Sequence, residues 1–153
     1  MAFHGICQCF RNPEQWFGGI TCTDGRGSAR NGVYEEMDED LFARLRAKEQ
    51  TTAAEIGCYS FVAQLGFTSQ AMKSPADSEP ARQLAEIIAQ ASPQILYTHN
   101  PFDRHPTHLA VLRSVLQALE WVPAAARPKV LLCADPQSKI GHCQCGFMIE
   151  SLR

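Results

Sequence analysis

The chain has 153 residues, of which 45% are hydrophobic and 20% charged, and its formal net charge is −2. This length corresponds to about one domain with its own core, and the composition excludes a wholly disordered or fibrous protein. The 14 basic residues form no cluster, so nucleic acid is not an expected partner. No secretory leader and no run of about 18 apolar residues is found, so we expect neither secretion nor a membrane span.

The cysteines indicate a reducing environment. There are seven, an odd number without regular spacing, which does not suit a disulfide framework. Cys22 and Cys58 lie within apolar segments, where a free cysteine behaves as a small hydrophobic residue. We therefore expect a cytoplasmic location.

Strand-like and helix-like patterns alternate along the chain. Apolar, β-branched runs predict strands, and apolar residues at intervals of three or four predict helices. Asp38 and Gly57 are suitable as the N-cap and the end of the longest helix. In chain order we predict a helix over 2–11, a strand over 17–23, a loop over 24–32, a helix over 39–56, a strand over 59–65, a loop over 68–79, a helix over 80–90, a strand over 94–98, a helix over 106–121 and a strand over 129–133.

This alternation predicts an α/β fold, a Rossmann-like layered arrangement with a mostly parallel sheet. Such folds place their sites at the carboxyl ends of strands, where the loops 24–32 and 99–108 lie. The spacing also predicts which helical residues face the core. They are Leu41, Leu45, Ala53 and Ile56 in the first long helix, Leu84, Ile87 and Ile88 in the second, and Leu109, Leu112, Val115, Leu116 and Leu119 in the third.

Three histidines follow the predicted strand 94–98. His99, His105 and His108 lie within ten residues, together with Asn100 and Asp103. Neutral imidazole is the commonest biological metal ligand, and catalytic zinc typically takes three protein ligands and a water molecule. His105 and His108 share one face of the helix that begins there. In the alternative interpretation these are polar loop residues, with Asp103 capping the helix.

Three sequence blocks resemble the LmbE-like or PIG-L deacetylase family, which includes the N-acetylglucosaminyl-phosphatidylinositol de-N-acetylases. They are ITCTDGRGSARNGVY, LRAKEQTTAAEIG and PQILYTHNPFDRHPTHLAVLRSVLQAL, and their order and spacing agree with the family. The resemblance covers most of residues 2 to about 132. It implies a partial deacetylase domain over 1–132 followed by a divergent tail over 133–153.

The resemblance assigns roles to the histidine segment. His108 matches the last histidine of the family's His-Pro-Asp-His motif and is implied to be a ligand of Zn²⁺. His105 matches the first histidine and is implied to be catalytic, either stabilising the tetrahedral intermediate or protonating the departing amine. His99 and Asp103 are implied to orient these residues. Thr107 stands where many members have aspartate.

The resemblance also implies substrate contacts. Arg46 matches the arginine of an Arg-x-x-Glu motif, with Glu49 as its partner, and is expected either to face the substrate or to form a surface ion pair. Asp24 is expected either to bind a substrate hydroxyl or to cap a turn. Asn100 is implied to contact the substrate.

One family block has no counterpart in the sequence. The family's His-Pro-Asp-Asp, at the end of its first strand, supplies two further zinc ligands and the aspartate that activates water, and the chain contains no such block. We therefore expect the sheet to lack its first strand and the chain to be nearly inactive. His4 is a weaker candidate for a substitute ligand. Cys133, His142, Cys143 and Cys145 match no standard zinc spacing, so the tail is interpreted as adventitious.

These observations leave three hypotheses. The first is an N-terminally truncated, inactive form of a zinc-dependent N-deacetylase acting on an amino-sugar conjugate, a small molecule. The second is a non-catalytic amino-sugar-binding protein derived from the family. The third is a chain that does not fold stably, because a missing central strand leaves edges unpaired. Homo-oligomerisation stays open.

Overall fold

A computed structural model describes residues 3–12, 14–133 and 146–152. All predicted helices and strands occur within two residues of their predicted bounds, and two further elements, α3 and β5, were not predicted. No helix in the described part of the chain has both the length and the apolar character needed to cross a membrane. The elements are α1 (Phe3–Arg11), β1 (Gln15–Thr23), α2 (Glu39–Ile56), β2 (Phe61–Phe67), α3 (Ser69–Lys73), α4 (Glu79–Ala91), β3 (Ile95–Thr98), α5 (Pro106–Trp121), β4 (Val130–Cys133) and β5 (Gly146–Leu152), with short 3-10 turns at Gly32–Tyr34 and Ala124–Ala126.

The strands form one five-stranded sheet in the order β2-β1-β5-β3-β4. Strands β1 and β2 pair in parallel, as do β3 and β4. Strand β5 lies between β1 and β3 and is antiparallel to both. Four of the five strands thus run in one direction, which confirms the predicted Rossmann-like α/β class.

Strand β5 occupies the central position of the sheet. In the doubly wound order 3-2-1-4-5 the first strand lies at the centre, and the order here is the same with β5 in that place. Its pairing with β1 extends from Gln15↔Leu152 to Thr21↔Gly146. The segment predicted to be an adventitious tail therefore supplies the middle strand, and it pairs the inner edges of β1 and β3.

The two faces of the sheet are covered by different helices. On one face, Phe17 and Tyr97 are buried together with Ile6 and Cys9 of α1 packed against them. On the other face, Ile20 and Leu96 are buried against α3, α4 and α5. The fully buried helical residues of this core include Met72, Leu84, Ile88, Val111, Val115 and Ala118.

Helix α2 begins as predicted, but its inward face is different. The Asp38 carboxylate accepts hydrogen bonds from the backbone N–H groups of residues 40 and 41, which confirms the N-cap. The predicted core residues Leu41 and Ile56 are 48% and 76% exposed, whereas Phe42 is buried. Phe42 contacts the Tyr34 ring at 6.3 Å between centroids. The buried face of α2 is therefore displaced by about one residue from the predicted face, since Ala54 is buried and Ala53 is exposed. The aromatic contact of Phe42 with the preceding loop accounts for this displacement.

Other local predictions need similar corrections. The segment 68–79 was predicted as a loop, but it contains helix α3, because Thr68 caps it and Met72 is fully buried. In α5 the buried residues include more small side chains than predicted. The predicted core residues Leu109 and Leu116 are 37% and 48% exposed. Cys58 is exposed, although it was placed in an apolar segment.

Gly18 is expected to be required for packing between β1 and β2. A Cβ atom there would approach the Phe61 ring to less than 2.5 Å. Gly18→Ala should lower the free energy of unfolding by about 1–3 kcal/mol, the typical cost of overpacking, as measured by urea denaturation. Gly27→Ala is the matched control, because nothing lies within 4 Å of a Cβ at that position. Equal stabilities of the two variants would contradict the packing described here.

Candidate active site

The three histidines lie where β3 ends and α5 begins. The loop between them is closed by short hydrogen bonds. The Asn100 side-chain oxygen accepts the Phe102 N–H at 2.9 Å, and the Asn100 carbonyl accepts the Asp103 N–H at 3.0 Å. Asp103 in turn accepts the His105 N–H at 2.9 Å. These turns bring His99, at the strand end, back toward the first turn of the helix.

The imidazole rings are stacked. The rings of His99 and His108 are nearly parallel, with centroids 4.1 Å apart and an interplanar angle of 6°. The rings of His105 and His108 lie 4.5 Å apart at 30°. The Nδ1 atom of His108 is 2.8 Å from Oδ2 of Asp103. The structure therefore joins all three histidines and Asp103 in one cluster, the histidine cluster.

His99 is the most buried member of this cluster. It is 4% exposed, and neither ring nitrogen has a hydrogen-bond partner among the described residues. Burial, and secondarily the positive charge of His108, lowers the pKa of His99 to about 4. The imidazole is thus neutral at neutral pH, with a lone pair available.

Part of the cluster fits a divalent metal ion. His99, Asp103 and His108 each offer one donor atom, and these atoms lie within 4.8 Å of one another. Imidazole nitrogen and carboxylate oxygen are ordinary zinc ligands. A bound ion would also satisfy a buried His99 nitrogen that no described residue satisfies.

Asp103 combines the two roles that the sequence left as alternatives. Its Oδ1 accepts the N–H of His105, the residue that precedes α5, so it does close the turn before the helix. Its Oδ2 contacts His108. Metal-binding histidines usually donate their other ring N–H to such a carboxylate. Turn closure and orientation of His108 are therefore compatible.

Arg46 lies in a separate cleft. Its Nη1 donates to Oε2 of Glu49 at 2.6 Å, so the predicted pair is present. Both line a cleft of about 330 Å³ on α2 and the loop after β1, and no histidine lines it. The residues lining this Arg46 cleft are Ser28, Ala29, Asn31, Tyr34, Phe42, Leu45, Arg46 and Glu49.

The carboxylate of Asp24 is engaged by Arg26. Its Oδ1 accepts the Arg26 backbone N–H at 3.1 Å, and its Oδ2 accepts the Arg26 Nε–H at 2.5 Å. Asp24 does not line the Arg46 cleft. The structure thus places the predicted substrate contacts Asp24 and Arg46 in different surroundings.

Two aromatic features were not identified from the sequence. Tyr34 and Phe42 line the Arg46 cleft, and the Arg30 guanidinium lies 5.4 Å from the Phe42 ring centroid. Phe102 is 84% exposed beside the histidines. Tyr34 could have been identified from the sequence, because it is an aromatic residue just after the glycine-rich loop 24–32.

The other metal candidates of the sequence lie elsewhere. His4 falls in α1, Cys133 is exposed, and His142, Cys143 and Cys145 lie outside the described residues.

The low pKa of His99 predicts acid sensitivity of the metal-free protein. The unfolded chain binds a proton near pH 6.5 and the folded chain only near pH 4, so stability should fall as the pH drops through this window. The loss should be at most about 3 kcal/mol. Urea denaturation in chelator at pH 7 and pH 4.5 would measure it. His99→Phe should remove most of this loss; an unchanged pH dependence would contradict the assignment.

The fold and the site define a doubly wound α/β domain with histidines at a strand's carboxyl end. The sequence model of PIG-L, the GlcNAc-PI de-N-acetylase family, matches residues 1–119, and the chain belongs to this family. No curated protein sequence matches the chain.

Two solved structures are similar to the chain in fold. The conserved protein TT1542 from Thermus thermophilus is 23% identical with a TM-score of 0.55, over 74% of this chain and 50% of that one. The N,N'-diacetylchitobiose deacetylase from Pyrococcus horikoshii is 20% identical with a TM-score of 0.51, over 66% of this chain and 36% of that one. The chain thus spans half or less of either protein, and at these identities the likeness is one of fold.

Proposed function

We propose that the chain carries the histidine-bearing part of a zinc-dependent N-deacetylase that hydrolyses an N-acetyl group on an amino-sugar conjugate. The observation that carries this proposal is the histidine cluster with its Asp103–His108 pair at the end of β3, in a member of a de-N-acetylase family. A solved relative in fold is a deacetylase of an acetylated amino sugar, N,N'-diacetylchitobiose. A deacetylase-type activity is the part that family membership supports directly.

His108 is the proposed metal ligand. The contact between Nδ1 of His108 and Asp103 fixes the ring orientation, and in the neutral tautomer that donates Nδ1–H to Asp103 the Nε2 atom keeps its lone pair for the metal. A bound zinc ion would polarise the amide carbonyl and lower the pKa of a water molecule at the site. Asp103 thereby acts through His108 as a positioning residue.

His105 is the proposed proton donor to the departing amine. Its ring lies 4.5 Å from that of His108, and the residue is exposed, so a substrate above the cluster can reach it. Breaking the C–N bond of an amide requires a proton on the nitrogen, and histidine is the side chain that most often serves as a general acid. General acid catalysis of this kind typically contributes about 10²- to 10⁴-fold.

The sugar conjugate is proposed to contact Asn100, Asp24 and the Arg46 cleft. Asn100 lies in the loop that holds the histidines. The cleft offers the Arg46 guanidinium and aromatic surface from Tyr34 and Phe42. A sugar ring has apolar faces and polar edges, so this combination suits it.

The carboxylates of Asp103, Asp24 and Glu49 favour a second candidate function. Both oxygens of Asp103 and both oxygens of Asp24 already accept hydrogen bonds, and Glu49 is paired with Arg46. A water-activating base needs a carboxylate that can accept the proton of water, and loss of such a base typically costs about 10²- to 10⁴-fold. We therefore propose slow hydrolysis at most, and as the alternative an amino-sugar-binding protein without catalysis.

Acetate release distinguishes the two candidates. The full chain is loaded with zinc and incubated with N,N'-diacetylchitobiose, and acetate is followed by a coupled assay, with a chelator-treated sample and His108→Phe as controls. The deacetylase predicts slow release that both controls abolish. Binding of the sugar by calorimetry without release supports the alternative. Absence of both release and binding would remove both candidates.

A further inference from the structure

We propose that Arg30 is a positioning residue of the Arg46 cleft, which holds the aromatic wall of that cleft in place for the sugar conjugate. The inference deepens the proposed function, because it rests on the cleft as a sugar contact. It adds a residue that acts on the ligand only through Tyr34 and Phe42. Arg30 does not line the cleft, whereas both aromatic residues do.

The wall belongs to a loop with little regular structure. Between β1 and α2 the only helical or strand element of the described backbone is the 3-10 turn Gly32–Tyr34. Three hydrogen bonds close short turns around it, donated by the N–H groups of Tyr34, Glu35 and Met37 at 3.1–3.4 Å. A glycine-rich segment of this kind loses much conformational entropy when it is ordered. Side-chain contacts are therefore needed to hold the loop in one conformation.

Arg30 supplies such contacts at both ends of this loop. Its Nη1 donates to the Met37 carbonyl oxygen at 2.8 Å, and its Nη2 donates to the Arg26 carbonyl oxygen at 3.2 Å. Nη2 also lies 3.3 Å from Oε1 of Glu39, in the first turn of α2. The Arg30 side chain is 22% exposed, and the planar fork of a guanidinium is suited to holding several oxygens at once. One guanidinium thus joins three points of the chain between residues 26 and 39.

The same guanidinium supports the aromatic wall. Its Cζ atom lies 5.4 Å from the Phe42 ring centroid, within the range of a cation–π contact. Phe42 is 6% exposed, and its ring centroid is 6.3 Å from that of Tyr34, which is 39% exposed. Phe42 is therefore the buried support, and Tyr34 is the surface that a ligand in the cleft can reach. Without Arg30 these side chains would be looser, and ordering a loose side chain upon binding costs affinity.

Replacement of Arg30 in the full chain tests this role. Arg30→Met keeps the aliphatic stem and removes the guanidinium, while Arg30→Lys keeps the charge but loses the planar fork. Arg82→Met is the matched control, because Arg82 forms two ion pairs on the surface of α4, with Glu79 and Glu86. Amide hydrogen exchange of residues 33–37 is measured without sugar. Calorimetry then gives the affinities for N,N'-diacetylchitobiose and for N-acetylglucosamine in zinc.

In Arg30→Met we expect the amides of residues 33–37 to exchange at least about 10-fold faster, since local opening of the loop exposes them. Binding of diacetylchitobiose should be about 10-fold weaker, because the ligand must order the loosened aromatic side chains. N-acetylglucosamine, bound through its acetyl group at the histidine cluster, should lose little affinity, since no histidine lines the cleft. Arg30→Lys should fall between the wild type and Arg30→Met. Arg82→Met should match the wild type in all three measurements.

Three results would overturn the inference. They are unchanged amide exchange in Arg30→Met, faster exchange with an unchanged affinity for diacetylchitobiose, and an equal loss of affinity for both sugars. The last would show a general effect on the fold instead of an effect on the cleft. Failure of the proposed function gives a different result. A wild-type protein that binds neither sugar removes the sugar as the occupant, while faster exchange in Arg30→Met still shows that Arg30 holds the wall.

Discussion

Replacing Ile149 with proline is expected to abolish cooperative folding. This residue lies in the middle of β5 and is paired with Gly18 of β1 on one side and with Leu96 of β3 on the other. Proline removes the N–H group and is confined to edge strands and bulges, so in a central strand it leaves a carbonyl unpaired at a cost of about 1–3 kcal/mol in addition to the distortion of the strand. Whole-domain stability is only about 5–15 kcal/mol. Thermal unfolding followed by circular dichroism should become broad, or start from a largely unfolded state.

Ile149→Val is the matched control for this experiment. It keeps the N–H group and the β-branched side chain, so the pairing on both sides of β5 is retained. A sharp transition in the valine variant and its loss in the proline variant would support β5 as the central strand. A sharp transition at the wild-type temperature in the proline variant would show that this segment does not hold the two halves of the sheet together.

Replacing His108 with phenylalanine is expected to have the largest effect on chemistry. The ring and its stacking on His99 are kept, but the ligand nitrogen and the contact with Asp103 are lost. Because a catalytic metal ion contributes several kcal/mol, zinc-dependent acetate release should fall at least about 100-fold. The assay compares initial rates at saturating zinc.

Leu116→Ala is the control on the same helix, since Leu116 is 48% exposed and remote from the cluster in sequence. Its rate and its melting temperature should stay close to those of the wild type. Equal rates in the wild type and His108→Phe would show that His108 has no part in the reaction.

The fold class and the placement of the histidines after a strand could be predicted because both depend on local patterns. The alternation of apolar runs and helical spacing indicated the strands β1 and β3 and the helices around them. Asn100-Pro101 marked the end of β3. His99 lies directly before this break and His108 lies after it. A strand end followed by a helix start is where parallel sheets place polar side chains.

Strand β5 could not be predicted because its pairing is entirely long-range. Gly146–Leu152 pairs with β1, more than 120 residues earlier, and no local pattern specifies such a partner. The rotation of α2 was missed for a similar reason. Contacts of Phe42 with Tyr34 and Arg30 override the apolar spacing of the helix itself.

The contacts within the histidine cluster could not be predicted from the sequence either. Spacing placed His105 and His108 on one helical face, but it provided no distance to His99, which belongs to the preceding strand end. Only the closed turn through Asp103 brings the rings of His99 and His108 to 4.1 Å. The pairing of Asp24 with Arg26 likewise depends on the local turn, and the motif alone did not reveal it.

The most direct test of the account is a calorimetric titration of the full chain with N-acetylglucosamine, in zinc and in chelator. The central claim is that a metal ion held by the histidine cluster recognises the N-acetyl group of an amino sugar. It predicts binding in zinc that is at least about 10-fold weaker in chelator, a difference of about 1.4 kcal/mol, with no such zinc effect for glucosamine. Equal affinities for the acetylated sugar with and without zinc would contradict it.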